Sequence, residues 1–203
     1  MSAFRIAPPL PRLFCLVSGR DDLALLPELA DVGVAGFQVR DKELPDWSLR
    51  YLVDRVLSFV GDRSMVVIND RLGVAVAAQA HGVHLGREDL PIDRAREQAP
   101  ELVIGATCRS RDDVDRASAL GADYAGFGPI AVSGSKQGLP EPLGCPAITS
   151  AVGVLPLIAI GGIDAALATR ARAAGAHGVA VIGSIWRQPD PVLAAKELVD
   201  AAR

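Results

Sequence analysis

The sequence predicts an α/β protein, a single-domain (β/α)8 TIM barrel spanning residues 1–203, and three observations carry that expectation. The first is a repeat. Four times a helix-ending Gly or Ala runs into a short apolar strand, at residues 33–40, 80–86, 121–128 and 175–183. The copies start about 40 to 55 residues apart, too long for one strand–helix unit and right for two, so four double units make eight. The second is composition: 50% of the residues are hydrophobic and only 4% aromatic, so the core must be built from Ala, Val, Leu and Ile. That suits a parallel sheet buried on both faces, whose strands read as continuous apolar runs. The third is unbroken alternation of short apolar runs with longer periodic stretches, with no shift in composition where a second domain could begin.

Residues 1–11, with Pro8, Pro9 and Pro11, read as an irregular lead-in. Strand one is expected over 13–17 and helix one over 22–31; the second pair is 36–40 and 46–59, the third 65–68 and 71–79, the fourth 82–85 and 91–98. The fifth pair is 102–106 and 111–120, the sixth 124–127 and 145–151, the seventh 156–160 and 165–174, the eighth 178–182 and 191–202. Each strand is an apolar run of strand length between turn residues. Asp22, Asp46, Asp70, Asp112 and Asp164 lie at or near helix starts, where a carboxylate can cap free N–H groups. Gly33, Gly121 and Gly175 suit helix stops, and Pro191 suits a first helical position. One connection is anomalous: residues 131–144 are too long and too rich in Gly and Pro for a tight strand–helix turn, which makes them a candidate active-site lid.

A net charge of −3 argues against a general binder of nucleic acid or membrane surfaces, while a few local cations suffice for a small anionic substrate. No apolar run reaches the length of a membrane span, and the N-terminus lacks a basic-then-apolar signal pattern. Cys15, Cys108 and Cys145 are odd in number and lack metal-ligand spacing, which fits buried free thiols in a reducing cytoplasm. The expectation is a cytoplasmic protein. A homodimer through the outer helices is compatible with a barrel of this size.

Barrel enzymes place their chemistry where the strands end. In strand two, Gln38, Arg40 and Lys42 alternate and share one face, while Phe37 and Val39 take the other, toward the helices. Two cations one strand-step apart can hold a diphosphate through charge-assisted hydrogen bonds; the competing reading is a surface Arg and Lys. Asn69 and Asp70 end strand three, and Asp89 follows strand four, so the two carboxylates can converge on one hard cation such as Mg²⁺. Otherwise Asp70 is a helix cap and Asp89 a turn residue. His84 reads as a hydrogen-bonded mouth or core histidine rather than a metal ligand. Thr107 puts a hydroxyl at the rim of strand five. Ser133, Ser135 and Lys136 set hydroxyls beside a cation in the long loop, to grip a phosphate ester or simply to form a flexible loop. The glycines after strand seven, Gly161 and Gly162, and after strand eight, Gly183, fit the backbone phosphate cradle common in this fold, though tight turns also use Gly.

With these motifs in hand, the chain resembles the thiamine-phosphate synthase family, with thiazole tautomerases as related proteins. Nearly the whole chain takes part. The combination is Gln-x-Arg-x-Lys (Gln38 to Lys42), Asn-Asp-Arg (Asn69 to Arg71), His-Leu-Gly-x-Glu-Asp (His84 to Asp89), Gly-Ala-Asp-Tyr with Gly-Pro-Ile (Gly128 to Ile130), and Ala-Ile-Gly-Gly-Ile. The resemblance implies that Gln38, Arg40, Lys42, Asn69 and Lys136 bind hydroxymethylpyrimidine diphosphate, with Arg40, Lys42 and Lys136 catalytic. It implies that Asp70 and Asp89 hold Mg²⁺, that Thr107 stands near the pyrimidine where Ser is usual, and that Ser133, Ser135, Gly162, Ile182 and Gly183 hold the thiazole phosphate. The implied reaction joins the two substrates into thiamine phosphate and releases pyrophosphate. The chain departs from the family pattern at Arg87, where Gln is usual, in its Val-Ser-Gly-Ser-Lys loop, and at Gly183, where Ser is common. The alternatives are a thiazole tautomerase, in whose pattern a His stands at the position of Pro129, and a non-catalytic phosphate-binding relative.

Overall fold

The computed structural model describes residues 7–133 and 140–203. Eight parallel strands close in sequence order: β1 (Leu13–Val17), β2 (Gly36–Val39), β3 (Met65–Asn69), β4 (Gly82–Leu85), β5 (Val103–Cys108), β6 (Tyr124–Phe127), β7 (Leu157–Ile160) and β8 (Gly178–Val181). β8 pairs back onto β1, with Leu13 opposite Val179 and Cys15 opposite Val181, so the barrel has no open edge. Around it lie α1 (Leu26–Asp31), α2 (Asp46–Val60), α3 (Leu72–Ala77), α4 (Ile92–Gln98), α5 (Arg111–Ala119), α6 (Cys145–Ala151), α7 (Ala165–Ala173), α8 (Gly183–Trp186) and α9 (Pro191–Ala201).

Every expected strand is present, and no end differs from expectation by more than two residues. The helices differ more from expectation. The first opens as a 3-10 turn over Leu23–Leu25, capped by Asp22, before α1 begins. α8 was not foreseen: it is a single turn that takes Gly183 into a helix and leaves Ile182 as its cap residue, outside the strand. A four-residue helix is too short to show a period in the sequence. Asp164 caps α7 through the Leu167 N–H, but Asp46, Asp70 and Asp112 cap nothing. Asp46 already lies in the first turn of α2, and Ser110 takes the cap of α5. Residues 131–133 and 140–144 carry no helix or strand, and the intervening part of the long loop falls outside the described residues.

Strand alternation divides the core into two layers. Phe37, Val39, Val66 and Ile68 pack outward with the helices in the larger cluster. Phe14, Met65, Val67, Tyr124 and Ile158 fill the barrel interior, closed below by Leu10 of the lead-in. The repeated even strands each bring an inward glycine. A methyl on Gly36 would lie 2.7 Å from the Phe14 ring, and one on Gly126 would lie 2.7 Å from the His84 ring. On Gly82 it would meet Val103 O at 2.3 Å, and on Gly178 Arg12 O at 2.4 Å. At each of these positions only a glycine leaves room for the neighbouring ring or strand backbone, so the barrel interior is closely packed beneath the strand ends.

Candidate active site

A cavity of about 900 Å³ opens at the C-terminal ends of the strands. Gln38, Arg40, Lys42 and Asn69 line one wall, Asp70 and Asp89 stand beside them, and Thr107 faces in from β5. Ser133, Gly162, Ile182 and Gly183 line the opposite side. The structure therefore brings together all the expected site residues except Ser135 and Lys136, which lie outside the described residues.

Gln38 is buried and the following inward residue, Arg40, is half-buried, because each step along β2 and beyond carries the chain up the barrel wall toward water. Asp70 adopts φ +66°, a left-handed conformation that short polar residues tolerate better than most, and its N–H donates to His84 O at 2.8 Å. That turn aims its carboxylate at Lys42, whose Nζ lies 3.2 Å from Oδ2. The Asp89 carboxylate accepts the Gly86 N–H at 2.6 Å and faces the Asp70 carboxyl. Burial first, and then the neighbouring Asp70 carboxyl and its like charge, push the Asp89 carboxyl above the usual range; the Gly86 N–H and Lys42 pull it back. Two neighbouring carboxyl groups form an oxygen donor set whose mutual repulsion a divalent cation would relieve. The residues fit Mg²⁺, which needs only one or two carboxylates when substrate phosphates and water complete its shell.

Below them His84, 7% exposed, links two hydroxyls: Nδ1 lies 3.1 Å from Tyr124 Oη and Nε2 lies 3.1 Å from Thr107 Oγ1. Burial lowers its pKa from 6.5 to about 4, opposed by the charge of Asp89. The neutral ring then donates through one nitrogen and accepts through the other, which fixes both hydroxyls relative to one another. Because the folded value is depressed, the stability this histidine contributes is present above about pH 6.5 and is lost as pH falls through about 4. The shift corresponds to roughly 3 kcal/mol. Chemical denaturation of the wild type and His84→Asn from pH 7 to pH 4 should show a shallower acid loss in the variant; parallel curves would disprove the assignment.

Sequence reading missed Tyr124, Arg87, Arg109, Arg187 and Gln188 as cavity residues. Arg109 was within reach, since Thr107 and Arg109 alternate on β5 and its continuation just as Gln38 and Arg40 do on β2. Its guanidinium donates to Gly128 O at 3.4 Å and Glu141 O at 2.9 Å, holding both stems of the long loop. Arg87 turns aside to pair with Asp113 at 2.8 Å. At the opposite wall Gly161 and Gly162 have φ +87° and +67°, and a methyl on Gly162 would lie 2.4 Å from Val132 O. Only glycine allows the β7–α7 turn this approach to the loop.

The family model described as thiamine monophosphate synthase matches residues 13–185. The chain belongs to the thiamine monophosphate synthase family. That match runs from the first barrel strand into α8 and takes in every site residue from Gln38 to Gly183. The chain is 39% identical over 171 residues to the thiamine-phosphate synthase of Chlorobium phaeovibrioides, covering 82% of each protein. It is 40% identical over 206 residues to a thiamine biosynthesis bifunctional protein of Symbiobacterium thermophilum, covering 98% of this chain but only 43% of that larger one. Among solved structures, thiamine phosphate pyrophosphorylase from Pyrococcus furiosus superposes with a TM-score of 0.85 at 27% identity, over 94% of this chain and 95% of its own. Within the family's barrel, no helix among the described residues is long and apolar enough to cross a membrane.

Proposed function

We propose that the chain is a thiamine-phosphate synthase, a transferase that joins hydroxymethylpyrimidine diphosphate to thiazole phosphate and releases pyrophosphate. The observation that carries this reading is the convergence, in one cavity, of the Gln38–Arg40–Lys42 ladder with the neighbouring carboxyls of Asp70 and Asp89. The similarity to proteins named thiamine-phosphate synthase supports it.

In the reaction the C–O bond from the pyrimidine CH₂ to the diphosphate breaks, its electron pair leaves with pyrophosphate, and the thiazole nitrogen supplies the pair for the new C–N bond. The aminopyrimidine can carry positive charge on its CH₂, so departure of the diphosphate can precede attack. What the protein must provide is positioning and stabilisation of leaving-group charge, not a nucleophile or strong base. Arg40 and Lys42 fit this role as cations on the diphosphate side. Lys136, placed in the role by sequence, would add a third. Asp70 and Asp89 would hold Mg²⁺, which when bound supplies further positive charge to the phosphate oxygens. Gln38, Asn69 and Thr107 offer polar atoms to orient the pyrimidine diphosphate. Gly162, Ile182 and Gly183, with Ser133 and Ser135, would receive the thiazole phosphate across the cavity. The position that would carry the acid–base group of a tautomerase is Pro129, which lines the cavity and can neither donate nor accept a proton.

Incubation with both phosphorylated substrates and Mg²⁺ should yield thiamine phosphate and pyrophosphate in equal amounts. Folded protein that makes neither, but turns over the thiazole tautomer, would replace this reading with an isomerase. Lys136→Ala should chiefly lower kcat, because the charge it would meet grows as pyrophosphate leaves. A rise in KM alone would remove the lysine from that role.

A further inference from the structure

The last residue of Asn-Asp-Arg has no part in the chemistry above, and Arg71 does not line the cavity. Its side chain crosses instead to the loop between β2 and α2. Nη1 donates to Leu44 O at 2.6 Å and to Asp46 Oδ1 at 3.0 Å. Nη2 donates to Asp41 O and Lys42 O, each at 3.4 Å. One guanidinium therefore gathers three carbonyls and the first carboxylate of the following helix. From the other side Asp41 holds the same loop: its Oδ1 accepts the N–H groups of Glu43 at 3.1 Å and Leu44 at 3.3 Å, and its Oδ2 that of Gly19 at 3.2 Å.

The residue carried by this loop is Lys42. Its side chain is 58% exposed, so packing does little to place its ammonium, which lies 3.2 Å from Asp70; the path of its backbone sets the point from which it reaches. Arg71 follows Asp70 directly, so one short stretch sets the carboxylate with its backbone turn and the facing lysine with its neighbouring side chain. We infer that Arg71 is a positioning residue for Lys42, clamping the β2–α2 loop so that the ammonium meets both the Asp70 carboxylate and a bound diphosphate. The planar fork is needed, because its two ends serve Leu44 on one side and Asp41 and Lys42 on the other; a lysine is a point charge and can serve only one. The inference rests on the proposed diphosphate side of the cavity and assigns a job there to a residue that touches no substrate.

A double-mutant cycle tests it with two readouts, turnover and calorimetric binding of inorganic pyrophosphate in the presence of Mg²⁺. Arg71→Met should lower kcat/KM on the order of tenfold to a hundredfold, the usual scale for a catalytic group displaced by about an ångström. It should also weaken pyrophosphate binding in the same direction as Lys42→Ala. Arg71→Lys should fall between wild type and Arg71→Met. The deciding comparison is Lys42→Ala against Lys42→Ala/Arg71→Met: with the lysine gone, losing the clamp should cost less than about twofold in either readout. Full multiplication of the two losses would overturn the inference, since a merely structural arginine weakens the protein whether or not Lys42 is present. An Arg71→Met variant with wild-type values would overturn it as well. If Arg71→Met does not melt cooperatively, Arg71→Lys takes its place in the cycle under the same criteria. A wild type that binds pyrophosphate but makes no thiamine phosphate removes the proposed reaction while the binding cycle still decides the clamp. A wild type that binds no pyrophosphate overturns both.

Discussion

Asp70→Ala and Asp89→Ala are each expected to reduce Mg²⁺-dependent turnover by roughly a thousandfold, the scale on which removal of a preorganised electrostatic partner acts in a water-poor site. Neither should unfold the protein. Asp89 gives up one hydrogen bond to the Gly86 N–H, and Asp70 caps no helix. Asp70→Ala even removes a carboxyl that pushes Asp89 upward, so the apo variant should lose little stability. The decisive measurement pairs steady-state rates across a Mg²⁺ titration with thermal melting. Wild-type rates in both variants would reduce the two carboxylates to turn chemistry. A loss that added Mg²⁺ fully restores would mean that each contributes affinity but is not required for the reaction.

The second large effect is on the fold. Gly105→Ala should destabilise the barrel by about 3 kcal/mol, near the upper end for an overpacked core. A methyl there would sit 2.1 Å from Tyr124 Cζ and 2.4 Å from its hydroxyl oxygen. The ring cannot yield cheaply, because it stacks on Phe14 with centroids 5.8 Å apart and hydrogen-bonds His84. For a domain of this size the loss corresponds to a fall in melting temperature of roughly 10 °C. A shift below 2 °C, read by calorimetry, would mean that Tyr124 has another rotamer available. The same variant should disturb the cavity from below, since His84 and Thr107 depend on the tyrosine for their orientation.

How far the sequence could be read depended on the range of the forces involved. The eight strands are legible because burial on both faces imposes an apolar run at each, and the period between copies is written into the chain. Alternation on β2 is equally local, so the inward ladder of Gln38 and Arg40 and the outward set of Phe37 and Val39 follow from a period of two. α8 was not legible, because a single turn after β8 carries too few residues for a pattern. Asp46 and Asp70 looked like helix caps because a carboxylate before an apolar stretch has that signature. The structure turns Asp46 toward Arg71, a residue 25 positions away, and Asp70 toward Lys42.

By itself, then, the sequence determined the barrel, the order of its strands and which residue types end them, since these depend on local period and burial. It also supplied the motifs on which membership of the thiamine monophosphate synthase family rests. What only the tertiary structure decided is which of those residues meet. The approach of Asp70 to Asp89, the link from Tyr124 through His84 to Thr107, and the grip of Arg71 on the loop of Lys42 all join different strands. Each is set by the lateral pairing of neighbouring strands, and at Tyr124 and His84 also by glycines that let the rings approach. Such contacts leave no period in the chain, because their geometry exists only once these strands lie side by side.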